Sequence, residues 1–426
     1  MSINPVSLKE RIIETGLSLG FNRLVFASIE PLSAAKQATY KAFLANGYAA
    51  SMDYLAREPE RRFLPQRTFE QARTVLTVSV GYYNSPPPPP ANDKTVYGRV
   101  AGYAVGRDYH VVMRAKLKEL HAFIEKECGR KVAFRTVADD AAYFEQAFAE
   151  RHGLGFVGKN TLVILPQLGG SYNLIGELFL DLELPADEPC VGTCGACFRC
   201  GVTCPTGAIK ELSLAGSALP ALEREGDTAY GVNMTVDAKT YLVDARACLS
   251  FLTIENKGGI ELSLRDKLGD WVFGCDICQE VCPYNSRLQK EKKQAIWPEF
   301  RPEAGVGHYL DLFALFAIKD QDEFHQRFLS SPLRRPKLRG MRRNALVVIG
   351  NQLALGAASL ALVINTLRQY LLAETDEMLI EHGLWMLSRA SKDSARASCG
   401  LDLESLKNSL YRRLSPEGKR LAERYL

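Results

Sequence analysis

No apolar run in this 426-residue chain approaches the roughly 20 residues that a membrane span requires. Nor does an apolar segment of the secretory kind open it. The expectation is therefore a cytoplasmic, reducing location with no membrane attachment, which argues against disulfides as the use of its 11 cysteines. A large excess of one charge is also missing, and a net charge of +4 does not by itself name a partner. No standard RNA-reading module is legible. The glycine-rich stretch G-L-G-F-V-G-K-N, Gly153 to Asn160, lacks the Ser or Thr after its Lys and the preceding strand that a phosphate loop needs, so that reading fails. Its glycines instead suggest backbone packed against a large flat ligand. With 46% hydrophobic and 24% charged residues, what remains is an ordinary soluble protein long enough for two or three domains.

What is present is cysteine in two runs. The first, C-G-A-C-F-R-C-G-V-T-C-P from Cys194, has the C-x2-C-x2-C-x3-C-P spacing with which bacterial-type ferredoxins wrap a cubane cluster, the last Cys reaching a second one. The second, G-C-D-I-C-Q-E-V-C-P, holds Cys275, Cys278 and Cys282 but has Val272 where its first Cys would stand. Two clusters need an eighth thiolate, and Cys248 is the nearest candidate. The crossed fourth ligands of ferredoxins then assign Cys194, Cys197, Cys200 and Cys282 to one [4Fe–4S] cluster, and Cys204, Cys248, Cys275 and Cys278 to the other. Structural zinc is the rival, but four Cys in eleven residues overfill a tetrahedral zinc site. Cys190 is a spare ligand, while Cys128 and Cys399 read as buried thiols.

Residues 1–185 read as an α/β domain. Ser7-x-x-Glu10 is a capping box for a helix that Gly20 closes, and Leu24–Ala27, Thr74–Val80 and Val132–Thr136 read as strands. Met113, Leu117, Leu120 and Ile124 mark one face of a helix. Asp139-Asp140 opens another that runs to about Glu150, with His152 as a surface cation at its end. The prolines Pro86–Pro90 form a solvated loop. Residues 186–290 carry the cysteines, interrupted by a surface insertion at Glu211–Val236 and closed by a charged linker at Lys290, Lys292 and Lys293. In 291–426, Ala345, Val348, Ile349 and Leu353, then Leu360, Ile364, Leu367 and Leu371, then Ile380, Leu384 and Leu387 repeat at helical spacing, which suggests an all-α, HEAT-like stack. Ahead of it, Leu333–Asn344 holds six cations and no acid: Arg334, Arg335, Lys337, Arg339, Arg342 and Arg343. A nucleic-acid backbone is the partner that such a run suits, with a solvated basic face as the alternative.

Y-G-R-V-A-G-Y-A-V-G-R-D-Y-H (Tyr97–His110), G-L-G-F-V-G-K-N-T, the two cysteine runs, C-L-S-F-L-T-I-E and R-R-N-A-L-V-V-I-G-N together resemble the epoxyqueuosine reductase family, in one order and across nearly the whole chain. The resemblance implies an α/β N-terminal domain, similar to that of reductive dehalogenases, holding base-off cobalamin. It also implies a ferredoxin-like domain with two [4Fe–4S] clusters, a HEAT-like region, and a tRNA carrying epoxyqueuosine as substrate. It further implies a monomer that takes electrons from a flavodoxin- or ferredoxin-type donor. The family's proton donor maps to Asp139, six residues before Glu145, with Asp140 as the alternative; Ala142 and Gln146 stand where the family has Pro and Arg. Its cobalamin contacts map to Arg62, Tyr103, Asp139, Lys159, Asn160, Thr161 and Ser171. A cobalamin-dependent reductase of a small molecule would not need the basic stack, and a mere electron or tRNA carrier would not need the first 185 residues.

Overall fold

The structure, a computed structural model, describes all residues except 1–3, 91–93, 167, 169, 191, 213–239, 287, 289–295 and 391–402. Most of the insertion between the cysteine runs, the charged linker and Cys399 thus lie outside the described residues. Two compact units are formed. One comprises Met1–Ser85, Arg107–Arg246 and Asp276–Arg301, the other Pro86–Gly106, Ala247–Cys275 and Pro302–Leu426. Among the described residues no helix is long and apolar enough to cross a membrane.

The first unit is built on a four-stranded sheet in the order Arg23–Ala27, Thr74–Gly81, Asn173–Leu180, Phe134–Val137. Every neighbouring pair is antiparallel, so within the α/β expectation this sheet is a mixed helix-and-sheet layer without parallel crossovers. Thr74–Gly81 is buried at every position, as suits a central strand rich in Val and Thr. Pro5–Ser18 begins one turn earlier than its capping-box pattern suggests. Asn4 accepts the Val6 N–H at 2.9 Å and Pro5 supplies the pre-set φ of a first helical position, which leaves Ser7 inside the first turn. Tyr109–Cys128 starts at Asp108, whose carboxylate accepts the His110 N–H at 3.1 Å, and ends at Gly129 with φ +60°. Met113, Leu117, Leu120 and Ile124 are fully buried along it, as their spacing predicts. A Cβ on Gly176 would lie 2.7 Å from Met113, so that glycine lets the helix close onto the strand Asn173–Leu180.

In the second unit, Lys337–Ala354, Leu360–Ala373, Glu377–Ser388, Leu403–Arg412 and Pro416–Ala422 are helices whose apolar faces form one core. Every residue singled out from their periodicity is buried. Burying these stripes is the main stabilising term, at about 1.5–3 kcal/mol for each large side chain. One buried ion pair crosses this core: Arg265 donates to both carboxyl oxygens of Glu381, at 2.9 and 2.7 Å. Pro86–Pro90 is exposed and outside any strand, as expected.

Candidate active site

The chain leaves the strand Phe134–Val137 and turns sharply. Asp139 has φ +56°, in the left-handed region that aspartate tolerates better than most residues. The next helix begins only at Glu145 and has no side-chain cap. Neither aspartate is therefore a helix cap, which corrects the sequence reading: paired aspartates suit a turn as well as a helix start, and here they make the turn. Exposed Asp139 donates its backbone N–H to Glu145 Oε1 at 2.7 Å, and its Oδ2 accepts the Tyr109 hydroxyl at 2.7 Å. Asp140 is spent elsewhere, since its Oδ1 accepts the Ala138 N–H at 3.0 Å and its Oδ2 pairs with Arg114. The Tyr109 ring stacks on His110 with centroids 4.0 Å apart, and His110 Nδ1 lies 2.7 Å from Asp108 Oδ1.

Arg62 adjoins this turn, because its carbonyl accepts the Phe144 N–H at 3.1 Å. Its side chain is only 8% exposed and one terminal nitrogen donates to the Tyr54 carbonyl at 3.0 Å, yet the buried Nε has no partner among the described residues. Such an orphan donor fits an acceptor-rich group, as the amide arms of a corrin are. Lys159, Asn160 and Thr161 sit on the tight hairpin between Phe156–Val157 and Val163–Ile164, where Thr161 has φ +64°. Lys159 donates to the Gly195 carbonyl at 2.8 Å, which brings this hairpin against the first cysteine loop. Asn160 is buried and turns its Oδ1 to the Leu162 N–H at 3.4 Å. Ser171 is buried in a polar knot, donating to Gln279 Oε1 at 3.1 Å and accepting from Asn285 Nδ2 at 3.1 Å. Tyr103 belongs to the second unit, with its ring centroid 6.1 Å from that of Phe273.

The glycine stretch departs from expectation. A Cβ on Gly153 would meet the Glu188 carbonyl at 2.2 Å, one on Gly155 the Ile164 carbonyl at 2.3 Å, and one on Gly158 the Ile164 side chain at 2.7 Å. The space these residues free is filled by the chain itself and not by a ligand. His152 is likewise not a surface cation. It is 2% exposed, neither ring nitrogen has a partner among the described residues, and burial, then the nearby Arg151 charge, lowers its pKa to about 3.

In the first unit, burial pushes the Cys200 thiol up to about 11, with Cys194, Cys282 and Cys197 adding to the effect; these are its three expected partners. Burial raises Cys282 too, with Cys194 and Cys197 contributing. Thiols gathered in this way ionise together only around a positive centre, which is the chemistry of an iron–sulfur core. No group of three or more His, Cys, Asp or Glu among the described residues is set to hold a metal ion, and a cubane spreads its thiolates more widely than a lone ion does. At Cys204 burial is outweighed by hydrogen bonds from Thr206 and the backbone of Ala208, Thr206 and Gly207, which hold this thiol below its ordinary range. Cys194, Cys197, Cys200, Cys204 and Cys282 are thiols, not disulfides. In the second unit, Cys248 precedes the helix Leu249–Ile254, and Thr253 in that helix accepts the Gly274 N–H at 2.9 Å, just ahead of Cys275.

The basic run differs from expectation at two positions, Arg342 and Arg343. Arg334, Arg335, Lys337 and Arg339 are exposed, whereas Arg343 is 0% exposed. Arg343 donates to the carbonyls of Leu252, Asn256 and Gly258 at 2.6–2.8 Å, so it is an internal brace and cannot touch a phosphate. Arg342 is half-buried, bonded to the Leu315 and Ile318 carbonyls. The acids missing from the run come from elsewhere: Glu255 pairs with Arg335 and Asp376 with Arg339. Tyr109, which holds the Asp139 carboxyl, and the fully buried Glu177 were not singled out from the sequence. A lone carboxylate inside the apolar run N-L-I-G-E-L-F-L was the available signal for the second.

Residues 62–140 match the family described as epoxyqueuosine reductase QueG, DUF1730, and residues 232–285 a 4Fe-4S double cluster binding domain. An epoxyqueuosine reductase from Pseudomonas aeruginosa is 34% identical over 391 residues, covering 91% of this chain and 95% of that protein. Among solved structures, epoxyqueuosine reductase from Streptococcus thermophilus superposes with a TM-score of 0.76 at 24% identity, over 99% of this chain and 98% of the other. A crystal structure of an epoxyqueuosine reductase with an epoxyqueuosine-modified tRNA-Tyr stem loop gives 0.74 at 23%, over 99% and 100%. The fold is thus shared from end to end, and an identity of this level over this span settles the lineage: the chain belongs to the epoxyqueuosine reductase family.

Proposed function

We propose that this oxidoreductase reduces epoxyqueuosine in a tRNA anticodon loop to queuosine, with Asp139 as the acid that delivers a proton to the departing epoxide oxygen. The observation that carries the assignment is the exposed Asp139 carboxyl on its left-handed turn, anchored at 2.7 Å by the Tyr109 hydroxyl while its neighbour Asp140 is tied to Arg114. A single anchoring bond leaves the other carboxyl oxygen for substrate and fixes its direction, which is what proton delivery to a developing alkoxide demands.

The donor chemistry supports the cofactors of the family. Cys194, Cys197, Cys200 and Cys282 would hold one [4Fe–4S] cluster, and Cys204, Cys248, Cys275 and Cys278 the other. Arg62, with its unpartnered buried Nε, and Lys159, Asn160 and Thr161 on their hairpin would hold base-off cobalamin, together with Tyr103 and Ser171. Bound cobalamin supplies reduced cobalt as the source of reducing equivalents. The chain's own residues orient the substrate, exclude water and manage protons. Exposed Arg334, Arg335, Lys337 and Arg339, at the start of the HEAT-like stack, would take tRNA phosphates. Residues 1–185, 186–290 and 291–426 then carry cobalamin, clusters and tRNA respectively. We place the protein in the cytoplasm as a monomer served by a flavodoxin- or ferredoxin-type donor.

The test is anaerobic reconstitution with iron, sulfide and cobalamin, followed by reaction of epoxyqueuosine-containing tRNA with a low-potential reductant. Nucleoside mass spectrometry should show the loss of one oxygen. Retention of that oxygen with both cofactors loaded would refute the assignment.

A further inference from the structure

Glu177 lies midway along the strand Asn173–Leu180 and is 0% exposed, and neither of its carboxyl oxygens has a hydrogen-bond partner among the described residues. Its cross-strand neighbours are Thr77, whose hydroxyl is also buried without a partner, and Val137. The surrounding layer is apolar, formed by Val75, Val137, Phe148 and Phe179 with Tyr143, whose buried hydroxyl is a third polar group lacking a partner. A bare carboxylate in such a layer is costly, and the group avoids that cost by keeping its proton. Burial, then the nearby Glu145, Asp139 and Asp140 carboxyls, pushes Glu177 well above the usual carboxylate range. Burial and the Asp139 charge do the same to Glu145, against the pull of the Asp139 N–H that its Oε1 accepts. The other groups facing this layer do not neutralise Glu177. Tyr143 is itself pushed up by burial and by Glu177, Arg135 on the neighbouring strand donates to the Thr68 carbonyl, and Arg151 acts on Tyr143 from the helix. His152, beyond Phe148, is held neutral.

The reaction assigned above needs more than one proton. Removing the epoxide oxygen to leave a carbon–carbon double bond takes two electrons and two protons, the oxygen departing as water. Asp139 carries one proton at a time. We propose that buried Glu177 and half-buried Glu145 form a proton reserve behind Asp139, Glu177 holding the proton and Glu145 passing it forward, so that Asp139 is recharged within a single turnover. Both glutamates adjoin the turn: the Glu145 carboxyl accepts the Asp139 N–H at 2.7 Å, and Glu177 is paired in register with Val137, two residues before Asp139. Neither glutamate needs to touch substrate, so both are positioning residues for the acid. The inference rests on the reading of Asp139 as the donor.

The two ideas can fail separately. In protein without cobalamin or tRNA, infrared spectra at neutral pH should show a protonated-carboxyl band that Glu177→Gln abolishes and Glu145→Gln leaves in place. Gln keeps the size and neutrality of the buried acid, so a merely structural Glu177 would tolerate the change. As a reserve it would not: turnover by each variant should match wild type at acidic pH and fall by about 100-fold at alkaline pH, where solvent recharges Asp139 slowly. A linear relay also makes the double variant no worse than either single one. A wild-type spectrum lacking that band overturns the reserve whatever Asp139 does. So does an unshifted pH profile in both variants. Normal turnover by Asp139→Asn would instead sink the donor assignment and leave the infrared result standing.

Discussion

The Tyr109 hydroxyl lies 2.7 Å from Asp139 Oδ2, while the carboxylate one residue on is bound to Arg114. Adjacent aspartates thus have separate partners. Asp139→Asn should lower epoxyqueuosine turnover by roughly 10²–10⁴-fold while leaving iron content and tRNA binding intact. Tyr109→Phe keeps the acid but frees its direction, so kcat should fall with little change in KM. Asp140→Asn loses a half-exposed ion pair worth at most about 1 kcal/mol and should remain active. An inactive Asp140→Asn beside an active Asp139→Asn would exchange the roles.

Cluster stoichiometry tests the crossed ligands. Cys248→Ala should remove about one cluster's worth of iron, and Cys190→Ala none. Undiminished iron in the Cys248 variant would mean that the eighth thiolate lies elsewhere.

For tRNA, the exposed and buried cations should behave differently. Replacing Arg334, Arg335, Lys337 and Arg339 by Gln should flatten the log–log salt dependence of binding by roughly 0.7–0.9 for each phosphate that is no longer neutralised. Arg343→Gln strands three carbonyls and should cost about 3 kcal/mol or more of stability, with little effect on the slope in protein that remains folded. A slope unchanged by the four exposed replacements would make the run a solvated face.

His152 predicts an acid-side loss of stability. Its folded pKa of about 3 lies below the unfolded value near 6.5, so the unfolded chain binds the proton first. Its contribution is complete above about pH 6.5 and is lost as pH falls towards 3, at up to about 1.4 kcal/mol per pH unit. His152→Leu should flatten the Tm-versus-pH curve over that window. An equal slope in both proteins would show that the ring is hydrated and titrates normally.

Much of this was legible in the chain because periodicity reports burial directly. Leu360, Ile364, Leu367 and Leu371 are buried as their spacing requires, and so is the face of Met113, Leu117, Leu120 and Ile124. The cysteine spacing puts Cys194, Cys197 and Cys200 on one short loop, where Cys194 and Cys197 act on the Cys200 thiol, whereas Cys282 reaches the same neighbourhood from far along the chain. What stayed hidden depended on partners distant in sequence. Nothing local tells Asp139 from Asp140; the distinction comes from Tyr109 and Arg114, about thirty and twenty-six residues earlier. Likewise, Arg343 looks like its exposed neighbours until the carbonyls of Leu252, Asn256 and Gly258 close around it. Glycines cannot declare what fills the space they leave, and at Gly153 and Gly155 it was backbone.

Arg343 and Asn344 also bear on how such a chain can be shortened. Asn344 donates to the Thr253 and Val272 carbonyls at 2.7 and 2.9 Å, and together with Arg343 it anchors the segment between Cys248 and Cys275 to the helix Lys337–Ala354. A truncation that removed the later helices but kept this one would leave those bonds whole, whereas one cut before Lys337 would leave five backbone acceptors bare inside the unit. The helix Lys337–Ala354 therefore belongs with the segment between Cys248 and Cys275, and an engineered minimal form that keeps that segment should end after this helix.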